Sequence, residues 1–329
     1  MKGILICGEL KGGKITSVSK ELVTTGRRLS DKANQPLYFL LMGDKLGIIA
    51  GKAADMGVDK VLAVEDPALA DLHPERLTAV LKDICHRIEP LLILFGQTDL
   101  GRDVAPRLAA KIGASVCMDC ADLAFDETGD VLLQTKPVYG GNAMAQWASP
   151  NCFPHVVTMR PRSEKPSEPD PANPGEIESV AVDIDESQTR AQLITTLKEE
   201  DGGIRLEDAK TIVAGGGGIG GREGFRLVRE LAQTLGAAVG ITRVPSDENW
   251  MPKKLEIGQT GHTVSPNLYI AIGISGAPQH LAGCSSSKVI VAINKDPQAR
   301  IFEEADFGIA ADYRQVLPPL IEKIKDLKE

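Results

Sequence analysis

Short aliphatic runs alternate with amphipathic stretches at an interval that admits few folds. Residues 3–7, 37–41, 60–64 and 91–95 are apolar at odd and even positions alike, as strands buried on both faces must be. Between them, residues 17–29, 46–56, 74–88 and 101–112 carry apolar side chains at helical spacing. Gly113 follows the last of these as a C-cap. Alternation of this kind builds βαβ units, and hence a mostly parallel sheet with helices on both faces.

The pattern restarts late in the chain. Strands are expected at 211–214, 237–242, 268–273, 289–293 and 307–310, with helices at 222–235 and 314–327. Before them, residues 161–175 hold five prolines and no large apolar side chain, a linker or a surface excursion rather than core. A strand candidate at 179–184 and a charged segment at 198–203 come next. A length of 329 residues suits two domains. The boundaries expected are 1–205 and 206–329, each an α/β domain with a mostly parallel sheet.

Charge and composition exclude several partners. Lys and Arg number 37 against 45 Asp and Glu, a net −8, and only 4% of residues are aromatic. A nucleic-acid binder needs a basic face or stacking aromatics, and this chain has neither in quantity. No apolar run reaches the ~18 residues of a membrane span. The chain opens on strand-like residues 2–7, and its six cysteines are scattered. A cytoplasmic protein without a signal segment is therefore expected. Cys117 and Cys120 form a single C-x-x-C with no second pair at zinc or iron–sulfur spacing, so a metal or redox role has little support.

Glycine is unevenly spread, and residues 215–221 contain six of the 33. G-x-G-x-x-G occurs there in two registers, Gly216/Gly218/Gly221 and Gly215/Gly217/Gly220, between a strand and a helix. Such a turn lets backbone amides approach a phosphate at a helix N-terminus. The acid that would hold an NAD ribose ~20 residues on is absent, for the next strand ends in Thr242 and Arg243. NADP or another nucleotide cofactor is favoured over NAD. At the ends of the other strands stand Gly273, Ser275, Gly276, Gln279 and His280, then Asn294, then Asp312, while Gln259 and Thr260 sit in a glycine-bracketed loop. Singly, Asp312 reads as a helix N-cap, His280 as a satisfied buried histidine and Arg243 as a surface ion pair. Their coincidence at one sheet edge points to a ligand site.

The segments VGITR (239–243), IGQTG (257–261), LYIAIGISGAPQHLAG (268–283), VAINKDP (291–297) and ADFGI (305–309) together resemble the alpha subunit of electron transfer flavoproteins. LFGQTDLGRDVAPR (94–107) and YGGNAM (139–144) extend the likeness into the first half. The resemblance implies FAD in a Rossmann-like C-terminal domain and a heterodimer with a beta subunit, docked through the N-terminal domain. It implies electron transfer from a flavin dehydrogenase, such as an acyl-CoA dehydrogenase, to a quinone- or ferredoxin-linked acceptor, as a simple carrier or a bifurcating complex. Neither role includes bond chemistry on a carbon substrate. By the same resemblance Arg243 lies by the isoalloxazine ring with Thr242 before it. Thr260 reaches the flavin N5/O4 edge beside Gln259, and His280 is a donor near O2. Ser275, Gly276, Gln279, Asn294 and Asp312 contact the rest of the cofactor. One position departs: the family reads S-G-G-R-G after the first strand of this domain, and Gly217 stands where the arginine would be. An NADP-dependent oxidoreductase and a nucleotide-binding scaffold are the alternatives.

Overall fold

Two compact units divide the chain, Met1–Pro137 with Met144–Leu197, and Val138–Ala143 with Lys198–Glu329. The structure is a computed structural model and describes residues 3–71, 73–129, 131–141, 143–184, 189–191, 194–195, 204–206 and 209–327. The charged segment 198–203, and Asn142 of the 139–144 motif, lie outside the described residues.

The first part of the chain runs β1 (Ile4–Cys7), a hairpin of β2 (Leu10–Lys11) and β3 (Lys14–Ile15), α1 (Ser17–Ala33), β4 (Leu37–Gly43), α2 (Gly47–Ala54) and β5 (Lys60–Glu65). Then come α3 (Pro74–Ile88), β6 (Leu92–Gly96), α4 (Asp99–Ile112), β7 (Ser115–Cys120), β8 (Asp122–Phe125), β9 (Leu132–Val138), β10 (Ala143–Trp147), β11 (His155–Met159) and β12 (Glu176–Ser179). Seven strands form one sheet in the order β12-β5-β4-β1-β6-β11-β7, paired parallel. β10, β9 and β8 form a second, three-stranded sheet.

The period of two along β1 sorts its side chains onto two cores. Ile4 and Ile6 join Leu22 and Leu29 of α1, while Leu5 and Cys7 join Leu77 and Leu81 of α3 and Leu108 of α4. Helix starts are fixed by side-chain caps: Thr16 accepts from the Ser19 amide at 3.3 Å and Thr98 from the Gly101 amide at 3.1 Å. Gly113 ends α4 at φ 68°, in the left-handed conformation expected of its cap.

The proline-rich segment is a surface strap within the first unit. The Thr24 hydroxyl donates to Lys165 O at 2.7 Å, and the Gly175 amide donates to Ala54 O at 3.0 Å, so the strap runs over α1 and reaches the end of α2. It delivers β12 parallel to the β5 edge. That strand is Glu176–Ser179 rather than the expected 179–184, and all four of its residues are exposed.

The second part runs β13 (Thr211–Gly215), α5 (Phe225–Leu235), β14 (Ala238–Ile241), α6 (Arg243–Asp247), β15 (Leu268–Ile272), α7 (Pro278–Cys284), β16 (Ile290–Asn294), α8 (Ile301–Glu304), β17 (Phe307–Ala310) and α9 (Tyr313–Asp326). All five strands are parallel, in the order β14-β13-β15-β16-β17. Ile212 and Ala214 face Leu281 of α7 and Ile301 of α8; Val213 faces Val228 and Leu231 of α5 and Leu317 of α9. Both units are thus α/β layers with helices on both faces. Among the described residues no helix is long and apolar enough to cross a membrane.

Candidate functional site

After β13 the chain moves outward to β14 and then returns across β13 to β15. The strand order reverses between β13 and β15, and open α/β sheets bind ligands at such a point, outside the carboxyl ends of the strands. Two loops leave the sheet there and are zipped by backbone. The Gly216 amide donates to Ile272 O at 2.9 Å and the Gly218 amide to Gly273 O at 2.9 Å. A Cβ on Gly216 would lie 2.4 Å from Gly273 O, and one on Gly218 2.8 Å from the same atom. Gly273 itself sits at φ +61°, where L side chains are strained. These glycines are required because two main chains touch. The Tyr313 hydroxyl donates to Ile219 O at 2.9 Å and holds the turn from behind. Beyond it, Gly220 and Gly221 also have positive φ, yet a Cβ on either would meet no heavy atom within 4 Å. The outer turn is an open cradle.

Thr242 and Arg243 lie beside this turn because the Thr242 amide donates to Gly215 O at 3.1 Å. Arg243 is an exposed cation of the edge, its side chain 71% accessible and its Nε 3.1 Å from Asp247 across one turn of α6. So exposed an ion pair contributes little and yields readily to another anion. Gly217 differs from its neighbours. A Cβ there would meet only the Val244 side chain, at 3.3 Å, and its φ is not in the left-handed region.

A second pair of segments, 256–262 and 277–283, is tied together. The Gln259 amide donates to Gln279 O at 2.8 Å, and the Ile257 amide donates to Ile241 O at 2.9 Å, which joins this pair to β14. The Thr260 hydroxyl donates to Glu256 Oε1 at 2.7 Å, and that carboxylate is only 3% exposed. His280 is buried at 6% exposure. Its Nδ1–H donates to Ile257 O at 2.8 Å and its Nε2 lies 2.9 Å from Tyr269 Oη. Burial holds the His280 pKa below the ordinary value, so the ring is neutral and Nε2 accepts from the tyrosine. No ring N–H is left over. In this structure the ring holds the 256–261 loop against α7.

Asn294 and Asp312 are also engaged within the protein. Asn294 donates Nδ2–H to Ile274 O at 2.8 Å and accepts the Asp296 amide at 3.0 Å. Asp312 caps α9, accepting the Arg314 amide at 2.9 Å, with its other oxygen 3.4 Å from Arg314 Nη1. Gly276, at φ +86°, packs where a Cβ would lie 2.3 Å from the Ile301 nitrogen. The twelve residues picked out in the sequence therefore separate into two groups. Gly217, Arg243, Gln259, Thr260, Ser275 and Gln279 are exposed and Thr242 half-buried along the edge, while Gly273, Gly276, His280, Asn294 and Asp312 shape its walls. Glu256, Tyr269 and Tyr313 do supporting work that motif reading misses. Only proximity marks them: Glu256 stands four residues before Thr260, and Tyr313 directly follows Asp312.

The edge fits an anionic dinucleotide such as FAD. It offers an open glycine turn for phosphates, an exposed arginine, and a row of exposed hydroxyl and amide side chains over an aliphatic sheet. Comparison with known proteins agrees. Residues 4–185 match the model of the electron transfer flavoprotein domain, and residues 205–285 that of the electron transfer flavoprotein FAD-binding domain. The chain is 41% identical to the electron transfer flavoprotein subunit alpha of Thermoanaerobacterium thermosaccharolyticum, over 99% of both chains. It is 40% identical to that of Bacillus subtilis, over 99% of this chain and 98% of the other. It is 36% identical to subunit LctC of the lactate dehydrogenase (NAD(+),ferredoxin) of Acetobacterium woodii, over 98% of this chain and 77% of that one. The chain belongs to the alpha-subunit family of electron transfer flavoproteins, FAD-binding proteins that carry electrons.

Proposed function

We propose that the carboxyl edge of the five-stranded sheet is where this chain holds FAD, with Arg243 as the cation beside the ring system. The observation that carries this reading is the exposure of Arg243 next to a glycine turn with open space around Gly220 and Gly221. FAD supplies the one- and two-electron chemistry when bound. The open outer face of the 217–221 turn receives phosphate. Arg243, released from its weak pair with Asp247, would place a cation beside the ring system, where it would favour the reduced cofactor and raise its reduction potential. Gln259, Thr260, Ser275 and Gln279 orient the cofactor through exposed polar groups, and Glu256 fixes the Thr260 hydroxyl. His280 and Tyr269 act as positioning residues for the loop that carries Thr260.

In this reading the first unit docks an electron transfer flavoprotein beta subunit in a cytoplasmic heterodimer. A flavin dehydrogenase delivers electrons and a quinone- or ferredoxin-linked acceptor takes them. The likeness to an NAD(+),ferredoxin-linked lactate dehydrogenase subunit supports a low-potential acceptor of the ferredoxin class. The test is an anaerobic titration of the purified heterodimer carrying Arg243→Ala. Removing about 1 kcal/mol of charge stabilisation lowers a two-electron potential by about 20 mV. An unchanged potential removes Arg243 from the role, and a colourless wild-type protein returns the site to NADP or to a plain nucleotide scaffold.

A further inference from the structure

The C-x-x-C on β7 is built differently from an ordinary strand. Residues three apart on a strand project to opposite faces, so Cys117 and Cys120 should point away from each other. Their sulfurs are 3.4 Å apart. The cause is a bulge. β11 pairs Val157 with Cys117 and then Met159 with Cys120, so three steps along β7 oppose two along β11. The extra residue is absorbed where Asp119 adopts φ 62°, a conformation uncommon for a residue other than glycine.

The strained residue is held from three sides. Arg160 grips the Asp119 carboxylate with two bonds, Nε to Oδ1 at 3.1 Å and Nη2 to Oδ2 at 2.7 Å. The Asp119 amide donates to Thr158 Oγ1 at 2.8 Å. The Arg160 amide donates to Cys120 O at 2.8 Å. We propose that Cys117 and Cys120 form a reversible dithiol–disulfide site, with Cys117 as the attacking thiol, Cys120 as the resolving one and a low-molecular-weight disulfide as oxidant.

Local chemistry assigns the two roles. Cys117 is half-buried on the edge strand of its sheet, whereas Cys120 is buried. The Cys120 thiol donates to Cys117 Sγ, which lowers the Cys117 pKa, and Lys136 on β9 adds in the same direction against the burial and Asp119 that oppose it. The same bond and burial raise Cys120. A low-pKa accessible thiol beside a buried partner is the arrangement that exchanges disulfides. Cys117 thiolate attacks one sulfur of RSSR, forming Cys117–S–SR and releasing RS⁻. Cys120 sulfur then attacks Cys117 Sγ, forming the internal bond and releasing the second RS⁻. The two cysteine protons end on two RSH, and the pair has given two electrons to RSSR. Closing from 3.4 Å to a bond length of roughly 2 Å needs movement only at a sheet edge.

The experiment exposes the purified flavin-containing heterodimer, anaerobically, to glutathione buffers from fully reduced to fully oxidised. Acid quenching, alkylation and peptide mass mapping then read each thiol. The expected product is a Cys117–Cys120 disulfide that dithiothreitol reverses, with Cys7, Cys85 and Cys284 still alkylatable. Cys120→Ser accumulates glutathione on Cys117, and Cys117→Ser slows modification of Cys120 at least tenfold. Flavin absorbance of each variant reports that it is folded. The proposal is overturned if both wild-type thiols stay alkylatable in oxidised glutathione, or if Cys152 is modified faster than Cys117.

Discussion

At the switch point of the first sheet, between β1 and β6, side chains fill the crevice; at that of the second, between β13 and β15, main chains meet and leave the edge open. In the first, a Cβ on Gly8 would lie 2.4 Å from the Phe39 ring and one on Gly96 2.4 Å from Val18 Cγ1. Glu9 reaches into the same place, its carboxylate accepting the Thr98 hydroxyl at 2.7 Å and its amide donating to Ser19 Oγ at 2.8 Å. In the second, Gly216 and Gly218 lie directly on Gly273, and a Cβ on Gly220 or Gly221 would meet open space. Topology offers a ligand site at both positions. Occupation by Glu9, Val18 and Thr98 closes one of them. A parallel sheet is thus permission to bind, and the residues at its reversal point decide whether the permission is used.

The largest effect should follow from breaking the glycine contact. Gly273→Val combines a left-handed φ that costs a β-branched residue roughly 1–3 kcal/mol with a Cβ 2.9 Å from the Gly218 carbonyl carbon. Purified heterodimer should retain less than a tenth of its flavin, read from the absorbance ratio, with the first unit still folded by limited proteolysis. Full flavin content in that variant would mean the two loops need not touch.

Much of this contrast is legible in the sequence. Aliphatic runs locate β1, β4, β5 and β6 and the strands β13 to β16, because a strand buried on both faces leaves no other pattern, and the run at 307–310 locates β17 although its four residues are exposed. β12 lies outside the expected 179–184 because Glu176–Ser179 has a single apolar residue, Ile177, and so no aliphatic run. β11, though fully buried, mixes His155 and Thr158 into its five residues and so lacks an aliphatic signature. At the site, the identities of Arg243, Thr260 and Gln279 were readable as motif members. The partners of His280, Asn294 and Asp312 were not: His280 bonds to Ile257 and Tyr269, and Asn294 to a carbonyl twenty residues away. Those bonds are products of loop packing, which one sequence does not display.

Charge inside the first crevice offers a subtler test. Burial raises the Glu9 carboxyl to about 7, against the lowering effect of the Thr98 bond. A folded pKa above the unfolded one means the folded state binds the proton more tightly. The resulting stability is full below about pH 4.5 and is lost as pH rises through 7. Glu21, also raised to about 7 by burial, contributes a slope of the same sign. Glu9→Gln should therefore stabilise the protein at pH 8 by about 2 kcal/mol and flatten part of the pH dependence of its urea midpoint. A variant less stable than wild type at pH 8 would mean that the ionised carboxylate is needed to close the crevice.

The smallest expected change sharpens the open edge rather than closing it. Gly217 is the one glycine of its turn that steric argument does not require, since only the movable Val244 side chain, half exposed, stands near a Cβ. Gly217→Arg should leave the melting temperature within about 2 °C, because neither backbone strain nor backbone overlap arises. A further guanidinium one residue from the zipped Gly216–Gly273 contact adds positive potential where phosphate or reduced flavin would sit. Over an exposed edge such a charge contributes roughly 0.5–1 kcal/mol, or a two- to fivefold tighter hold on FAD. Apoprotein reconstitution followed by flavin fluorescence measures it, and the same titration at 0.5 M salt should erase most of the gain. Tightening that survives high salt would point to packing rather than charge, and no tightening would mean that Arg222 or Arg226, both exposed beside the turn, already supplies the missing arginine.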